Sequence, residues 1–306
     1  MTGESDQSGG GRLGRAPDNL PRAVAYMVLV AIFIPILNAT AKYLAEQKYP
    51  VIEIVWWRYA GHFLVMLLVF LPRVGPSLLI ASSPMLQLVR SSLLAASTLI
   101  FMSALAYVPL TTATAMSFTG PFIVTALAPL LLGERVGPVR WLFVIFGFIG
   151  ALIILRPGMG MVEPAAFLLL GSAFTSALYQ IMSRKLASHD RAETSITYIA
   201  LAGFVLTSIP LPFMWVTPAS AFDWMLFASL GVFGGFGHYF WQRALEIAPA
   251  PFVSPFSYLG LIGAALLSVV VFGQFPDIFV WIGAFIIAGS GIFMLLYEHR
   301  QRIRGG

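Results

Sequence analysis

Residues 111–157 read TTATAMSFTGPFIVTALAPLLLGERVGPVRWLFVIFGFIGALIILRP. Two long apolar runs, Thr111 to Leu132 and Val139 to Leu155, flank the short polar turn Gly133-Glu134-Arg135-Val136-Gly137-Pro138. Roughly 20 apolar residues at about 1.5 Å rise per residue cross a ~30 Å hydrocarbon core, so the stretch reads as a membrane hairpin. The hairpin returns 140 positions later: Pro109, Gly120, Leu127, Gly133, Trp141 and Leu155 meet Pro249, Gly260, Leu267, Gly273, Trp281 and Leu295. The second half of the chain is therefore a copy of the first. In the copy the turn Gly133-Glu134-Arg135 becomes Gly273-Gln274-Phe275 and loses its charges. If each half carries five spans, an odd number, the second half lies inverted, and the positive-inside bias accounts for the missing arginine.

With 58% hydrophobic against 10% charged residues, the 306-residue chain has the composition of an integral membrane protein. Its formal charge of +5 is spread one to three residues per loop, without the clustered basic and aromatic platform that nucleic acid requires. The charges read as topology signals. There is no cysteine, which excludes a disulfide framework, a thiol nucleophile and any Cys-based metal site. Residues 1–21 have no apolar core and read as a flexible cytoplasmic tail.

Hydropathy places ten candidate spans at about 23–44, 51–71, 85–106, 111–132, 139–155, 164–186, 195–213, 223–243, 251–272 and 277–297. With the amino terminus inside, fourteen of the 18 Lys and Arg fall on the inner side. Lys48 and Arg156 fall outside, and Lys42 and Arg58 lie within spans. Adding or losing one span would invert every later loop, so this asymmetry favours ten spans with both termini cytoplasmic. The expected organisation is a tail at 1–21, a five-helix repeat at 22–157, an inverted five-helix repeat at 158–298 and a second cytoplasmic tail at 299–306. Loops this short leave no extramembrane domain, so function must reside among the helices.

Ionisable and polar groups are costly in a bilayer and face a bundle interior or a wet cavity, which makes them the candidate site. Arg58 and His62 are four apart in the second span, on one helical face, as are Asn38 and Lys42 in the first. Arg58 offers a planar two-pronged contact for a carboxylate. The competing structural readings are that Arg58 pairs with Glu53 or a freed carbonyl and that Lys42 snorkels to the interface. Ser172, Ser176, Tyr179 and Ser183 recur at helical spacing in the sixth span, Gly231, Gly235, His238 and Gln242 in the eighth, and Ser254 and Tyr258 in the ninth. His238 is either proton-responsive or held by structural hydrogen bonds. Tyr179, Trp241 and Tyr258 either grip an aromatic substrate part or belong to an interfacial belt. Pro35, Pro121 and Pro255 remove backbone donors and are candidate hinges. The glycines of the eighth span and their small counterparts in the third favour close helix packing. No phosphate loop, paired intramembrane carboxylates or metal-spaced cluster is present, so neither a cofactor nor a metal is expected and an enzyme is disfavoured.

Several stretches resemble the drug/metabolite transporter superfamily, in its ten-helix type with two EamA-like repeats. They are Ala104-Leu105-Ala106-Tyr107, Pro121 and Pro129 before Gly133-Glu134-Arg135, Gly147 and Gly150 before Arg156-Pro157, and Gly273 with Gly289 to Gly291. The resemblance spans about Ala23 to Tyr297. Similar proteins include exporters of amino acids, among them the YddG-type aromatic amino acid exporters, and carriers of nucleobases, vitamins and S-adenosylmethionine. The resemblance implies a central cavity among the first, third, fourth, sixth, eighth and ninth helices, with the fifth and tenth peripheral. It also implies a secondary transporter that exports small metabolites, amino acids foremost, across the cytoplasmic membrane by alternating access. The alternative is transport of drugs or lipophilic cations, or of another metabolite such as a nucleobase or vitamin, and an intramembrane enzyme is the remote one. The expected partners are a small-molecule substrate and the lipid bilayer, with no nucleic acid, in a monomer or weak dimer.

Overall fold

The computed structural model describes residues 19–134, 136–156, 164–186, 190–248 and 250–304. Residues 1–18, 135, 157–163, 187–189, 249, 305 and 306 lie outside the described residues, as do several side chains within helices, those of Pro251 and Ser254 among them. Thirteen α-helices follow one another: α1 (Leu20–Glu46), α2 (Val51–Val74), α3 (Pro84–Leu105), α4 (Leu110–Ser117), α5 (Gly120–Leu132), α6 (Pro138–Leu155), α7 (Pro164–Leu186), α8 (Ala192–Ser208), α9 (Leu211–Met214), α10 (Ala221–Ile247), α11 (Ala250–Val253), α12 (Leu259–Phe272) and α13 (Ile278–Arg304). Helix covers all ten stretches marked by hydropathy. Seven helical segments among the described residues are long and apolar enough to cross a membrane. The apolar residues left exposed, such as Ile262, Leu266 and Val270 along one face of α12, form the surface that lipid would cover.

The internal repeat is visible in local structure. α5 and α12 both end on a glycine with positive φ, Gly133 at 67° and Gly273 at 63°. In each turn the next N–H reaches back six residues, Glu134 to the Ala128 carbonyl and Gln274 to the Ser268 carbonyl. This is a Schellman closure, which needs the left-handed conformation that glycine adopts without a Cβ penalty. The breaks recur as well. The fourth stretch divides at Phe118 and Thr119 into α4 and α5, and the ninth divides into α11, a 3₁₀ turn over Ser254–Tyr258, and α12. Pro121 sits in the first turn of α5 and Pro255 in that of the 3₁₀ segment, where a missing N–H costs least. They set helix starts at these breaks.

Close packing between helices uses small residues, as expected where no hydrophobic drive distinguishes protein from lipid. α2 and α10 run in the same direction and touch backbone to backbone at Gly61 and Gly231; a Cβ added to Gly61 would stand 2.5 Å from the Gly231 Cα. Pro35 frees the Ala31 carbonyl inside α1, and Gly263 of α12 packs over both. Lys42 behaves as neither of its two sequence readings. It is 2% exposed, so it does not snorkel, and it does not line the cavity described below. Its ammonium donates to the carbonyls of Leu105 at 3.2 Å and Val108 at 3.0 Å and pairs with Glu46 at 3.0 Å. It thereby caps the carbonyl end of α3, where the helix dipole favours a cation.

Candidate functional site

Two cavities stand out. One of about 280 Å³ is lined by Ile36, Ala39, Tyr43, Phe222, Leu226 and Leu267, almost wholly apolar and with no charged group. The other, about 190 Å³, lies between α1, α2, α3, α4 and α7 and is polar. A few converging polar groups among apolar ones mark a ligand site better than volume does, so the smaller cavity is the candidate.

Each wall follows from helical spacing. α1 presents Ile34 and Asn38, four apart, and α3 presents Ser97, Thr98 and Phe101. α7 adds Ser172 and Ser176, again four apart, and α4 ends at Ser117 where the chain breaks toward α5. α2 contributes Arg58. Two ties fix these walls. Ser97 and Ser172 donate reciprocally to each other's backbone carbonyls, both at 2.9 Å, joining α3 to α7. The Tyr59 hydroxyl and Thr98 Oγ1 lie 2.9 Å apart, joining α2 to α3 beside the arginine. Tyr59 can seat there because Gly203 of α8 lies under its ring.

Arg58 is the cavity's charge. Its guanidinium carbon stands 5.7 Å from the Tyr59 ring centroid and its Nε has no hydrogen-bond partner. Gly234 of α10 lies against its Cγ. The proposed pairing with Glu53 does not form: Glu53 Oε2 instead accepts the Val216 N–H at 3.1 Å, and no carboxylate among the described residues bridges to Arg58. A half-buried guanidinium within a membrane bundle and without a counter-ion is costly, and an anionic ligand group would relieve it.

The other predicted residues divide. Asn38 and Arg58 meet in the cavity. His62 and His238 stack on each other, centroids 5.0 Å apart, beside the cavity and not among its lining residues. Tyr179 lies one turn beyond Ser176, under the guanidinium of Arg90 at 5.5 Å. Arg90 also donates to the Ser195 carbonyl at 2.6 Å, and Gln87 donates to Asp190 at 2.7 Å, so this end of α3 is tied to α8 and the chain before it. Trp241 packs with Met27 and Val253, and Tyr258 stands over Gly291 with its ring 4.7 Å from that of Phe118. Neither these two nor Gln242 reaches the cavity. The second helix enters the lining although the resemblance did not place it there, and the eighth stands behind it through Gly234. Thr98, Phe101 and Ser117 were missed; Phe101 lies four after Ser97 and three after Thr98, and that helical spacing was the available signal.

At the opposite end from Arg90, Arg156 pairs with Asp277, and the Tyr49 hydroxyl donates to Asp223 at 3.0 Å. Each joins the first half of the chain to the second.

A sequence model of the EamA-like transporter family matches the chain twice, over residues 21–156 and 163–297. A riboflavin transporter of Rhizobium johnstonii is 31% identical over 90% of this chain and 91% of its own length. An S-adenosylmethionine uptake transporter of Rickettsia prowazekii is 28% identical over 91% and 94%. A pseudopaline exporter of Pseudomonas aeruginosa is 31% identical over 94% and 99%. A solved crystal structure with a TM-score of 0.61 and 18% identity covers 90% of this chain and 98% of its own, and shares the fold. With a repeated helical hairpin, a cavity lined by polar groups of five helices and two matches to the family, this chain belongs to the EamA-like transporter family and is a multi-pass membrane transporter of small metabolites, not an enzyme.

Proposed function

We propose that the transported metabolite carries a carboxylate, with amino acids foremost, and that Arg58 is its anchor. The observation that carries this reading is the unpaired guanidinium facing a cavity of about 190 Å³ whose remaining polar groups are neutral. A carboxylate accepts two parallel N–H bonds from such a fork. The hydroxyls of Ser117 and Ser176 and the amide of Asn38 suit an ammonium and polar atoms, while Ile34 and Phe101 suit an apolar or aromatic side chain. Pockets for drug-sized ligands run to about 300–1,000 Å³, so a cavity of about 190 Å³ suits a smaller metabolite such as an amino acid. Placement in the YddG-type branch belongs to this same proposal.

Transport would proceed by alternating access of two inverted five-helix repeats, 22–157 and 158–298, in ten spans with both termini in the cytoplasm of a cell with this protein in its inner membrane, as a monomer or weak dimer. The ties at the two ends, Arg90 to Ser195 and Gln87 to Asp190 at one and Arg156 to Asp277 at the other, are the contacts that would break in turn. The resemblance makes export the expected direction. The names of the relatives include both uptake and export, so direction is a measured outcome.

A second reading, a heterocyclic vitamin, is favoured by the hydroxyl-rich wall beside Phe101 and by the relatives named for riboflavin. Counterflow into proteoliposomes separates the two, with labelled L-phenylalanine, riboflavin and tetraphenylphosphonium as probes. Saturable L-phenylalanine exchange in the wild type, with its half-saturation concentration raised in Arg58→Ala, supports the carboxylate reading. The two charge-assisted bonds lost are each worth about 1.5–3 kcal/mol, so the rise should be at least tenfold. Exchange of riboflavin alone, or of L-phenylalanine indifferent to Arg58, would overturn it.

A further inference from the structure

The cavity does not account for two imidazoles one helical turn from Arg58, His62 buried and His238 half-buried. His62 on α2 and His238 on α10 stack with planes 4° apart and centroids 5.0 Å apart. His62 is 1% exposed and its Nε2 has no hydrogen-bond partner, which leaves one polar atom of this ring without the bond that usually explains a buried histidine. The crossing of α2 and α10 makes the pair. Backbone contact at Gly61 and Gly231 sets the helices side by side, with Arg58 over Gly234 and, a turn further along both, His62 over His238.

The charged group facing both rings is Arg58. α1 brings Asn38 to the cavity, and α8 brings Gly203 and Phe204 against Tyr59 and Phe63. α3 and α7 carry Arg90 and Tyr179, which lie on each other. Among the described residues no carboxylate is bonded to either ring. Two imidazolium ions at this spacing repel each other, so the pair holds at most one proton. A proton there and the Arg58 charge, about 6 Å away along α2, are also like charges in a low-dielectric interior. A carboxylate docked on Arg58 cancels that repulsion. Anion and proton then favour each other's binding by one shared coupling free energy.

We infer that the His62–His238 pair is the proton site of the transporter, loaded together with a carboxylate on Arg58, so that substrate and proton move as symported partners, a coupling that an inward proton gradient turns to uptake and not to the export that the resemblance implies. This rests on the carboxylate reading of Arg58.

The test uses full-length protein in proteoliposomes, with the membrane potential clamped by potassium and valinomycin, and L-phenylalanine as the probe. At one proton per substrate, a pH gradient of one unit drives about tenfold accumulation. The wild type is expected to reach it, and the double variant His62→Gln/His238→Gln to show no accumulation at whatever counterflow rate it retains. If the double variant gives no counterflow, the wild type in detergent decides: saturation with L-phenylalanine in weakly buffered solution should take up about one proton per chain, and no uptake overturns the inference. Counterflow without accumulation in the wild type, or accumulation kept by the double variant, overturns the proton site and leaves the substrate reading standing. Absence of L-phenylalanine counterflow in the wild type overturns the carboxylate reading and this inference with it.

Discussion

Two glycines three residues apart on α10 should respond oppositely to the same added methyl group. At Gly231 a Cβ would press into the backbone of Gly61, and the reciprocal Cβ on Gly61 would lie 2.5 Å from the Gly231 Cα. Carbon atoms rest about 3.5–4.0 Å apart, so α2 and α10 would have to part by roughly 1 Å. Backbone cannot turn aside as a side chain can, and overpacking of this kind costs about 1–3 kcal/mol. At Gly234 the nearest atom to an added Cβ is Arg58 Cγ at 3.4 Å, an ordinary contact with a flexible side chain. Gly231→Ala is therefore expected to lose about 1–3 kcal/mol in unfolding from detergent micelles, and Gly234→Ala to stay within about 0.5 kcal/mol of wild type. The comparison is internal, since helix propensity favours alanine equally at both positions. Equal losses in the two variants, or a tolerated Gly231→Ala, would refute the close crossing and with it the geometry that stacks His62 on His238.

Two further perturbations probe the frame around the cavity. Lys42→Met leaves the buried carbonyls of Leu105 and Val108 without their donor, so stability should fall by about 1–3 kcal/mol while the half-saturation concentration for L-phenylalanine in counterflow stays unchanged. A large rise in that concentration would return Lys42 to the site. Ser97→Ala and Ser172→Ala each remove one of two reciprocal bonds worth about 0.5–1.5 kcal/mol; thermal unfolding of the single and double variants should show non-additive losses, whereas strict additivity would mean the two hydroxyls act independently.

Some residues were legible because their signal is local or periodic. Arg58 stands out because a charge inside an apolar span needs a reason, and Asn38 follows at a position four before Lys42 on the same face. Lys42 itself shows the limit. From the sequence it is one more intramembrane cation, and only the arrival of the carbonyl end of α3, more than sixty residues later in the chain, turns it into a cap. Tyr258 and Trp241 carry the residue types of an aromatic site, yet their neighbours on other helices draw them away from the cavity.

By itself the sequence determined the class, the helical stretches and the internal copy, because hydropathy, span length and a 140-residue offset are properties of the chain read along its own axis. It also determined where the repeated hairpins close, since a helix that must end in a left-handed turn calls for Gly133 and Gly273. The tertiary structure decided which polar stripes meet. A stripe fixes a face of one helix but not the partner that face turns toward. The partner is set by contacts such as Gly61 on Gly231 and Ser97 with Ser172, which join residues more than seventy positions apart. Those contacts leave Arg58 without a counter-ion and bring His62 onto His238, and both outcomes depend on distances between helices that spacing along one helix does not contain.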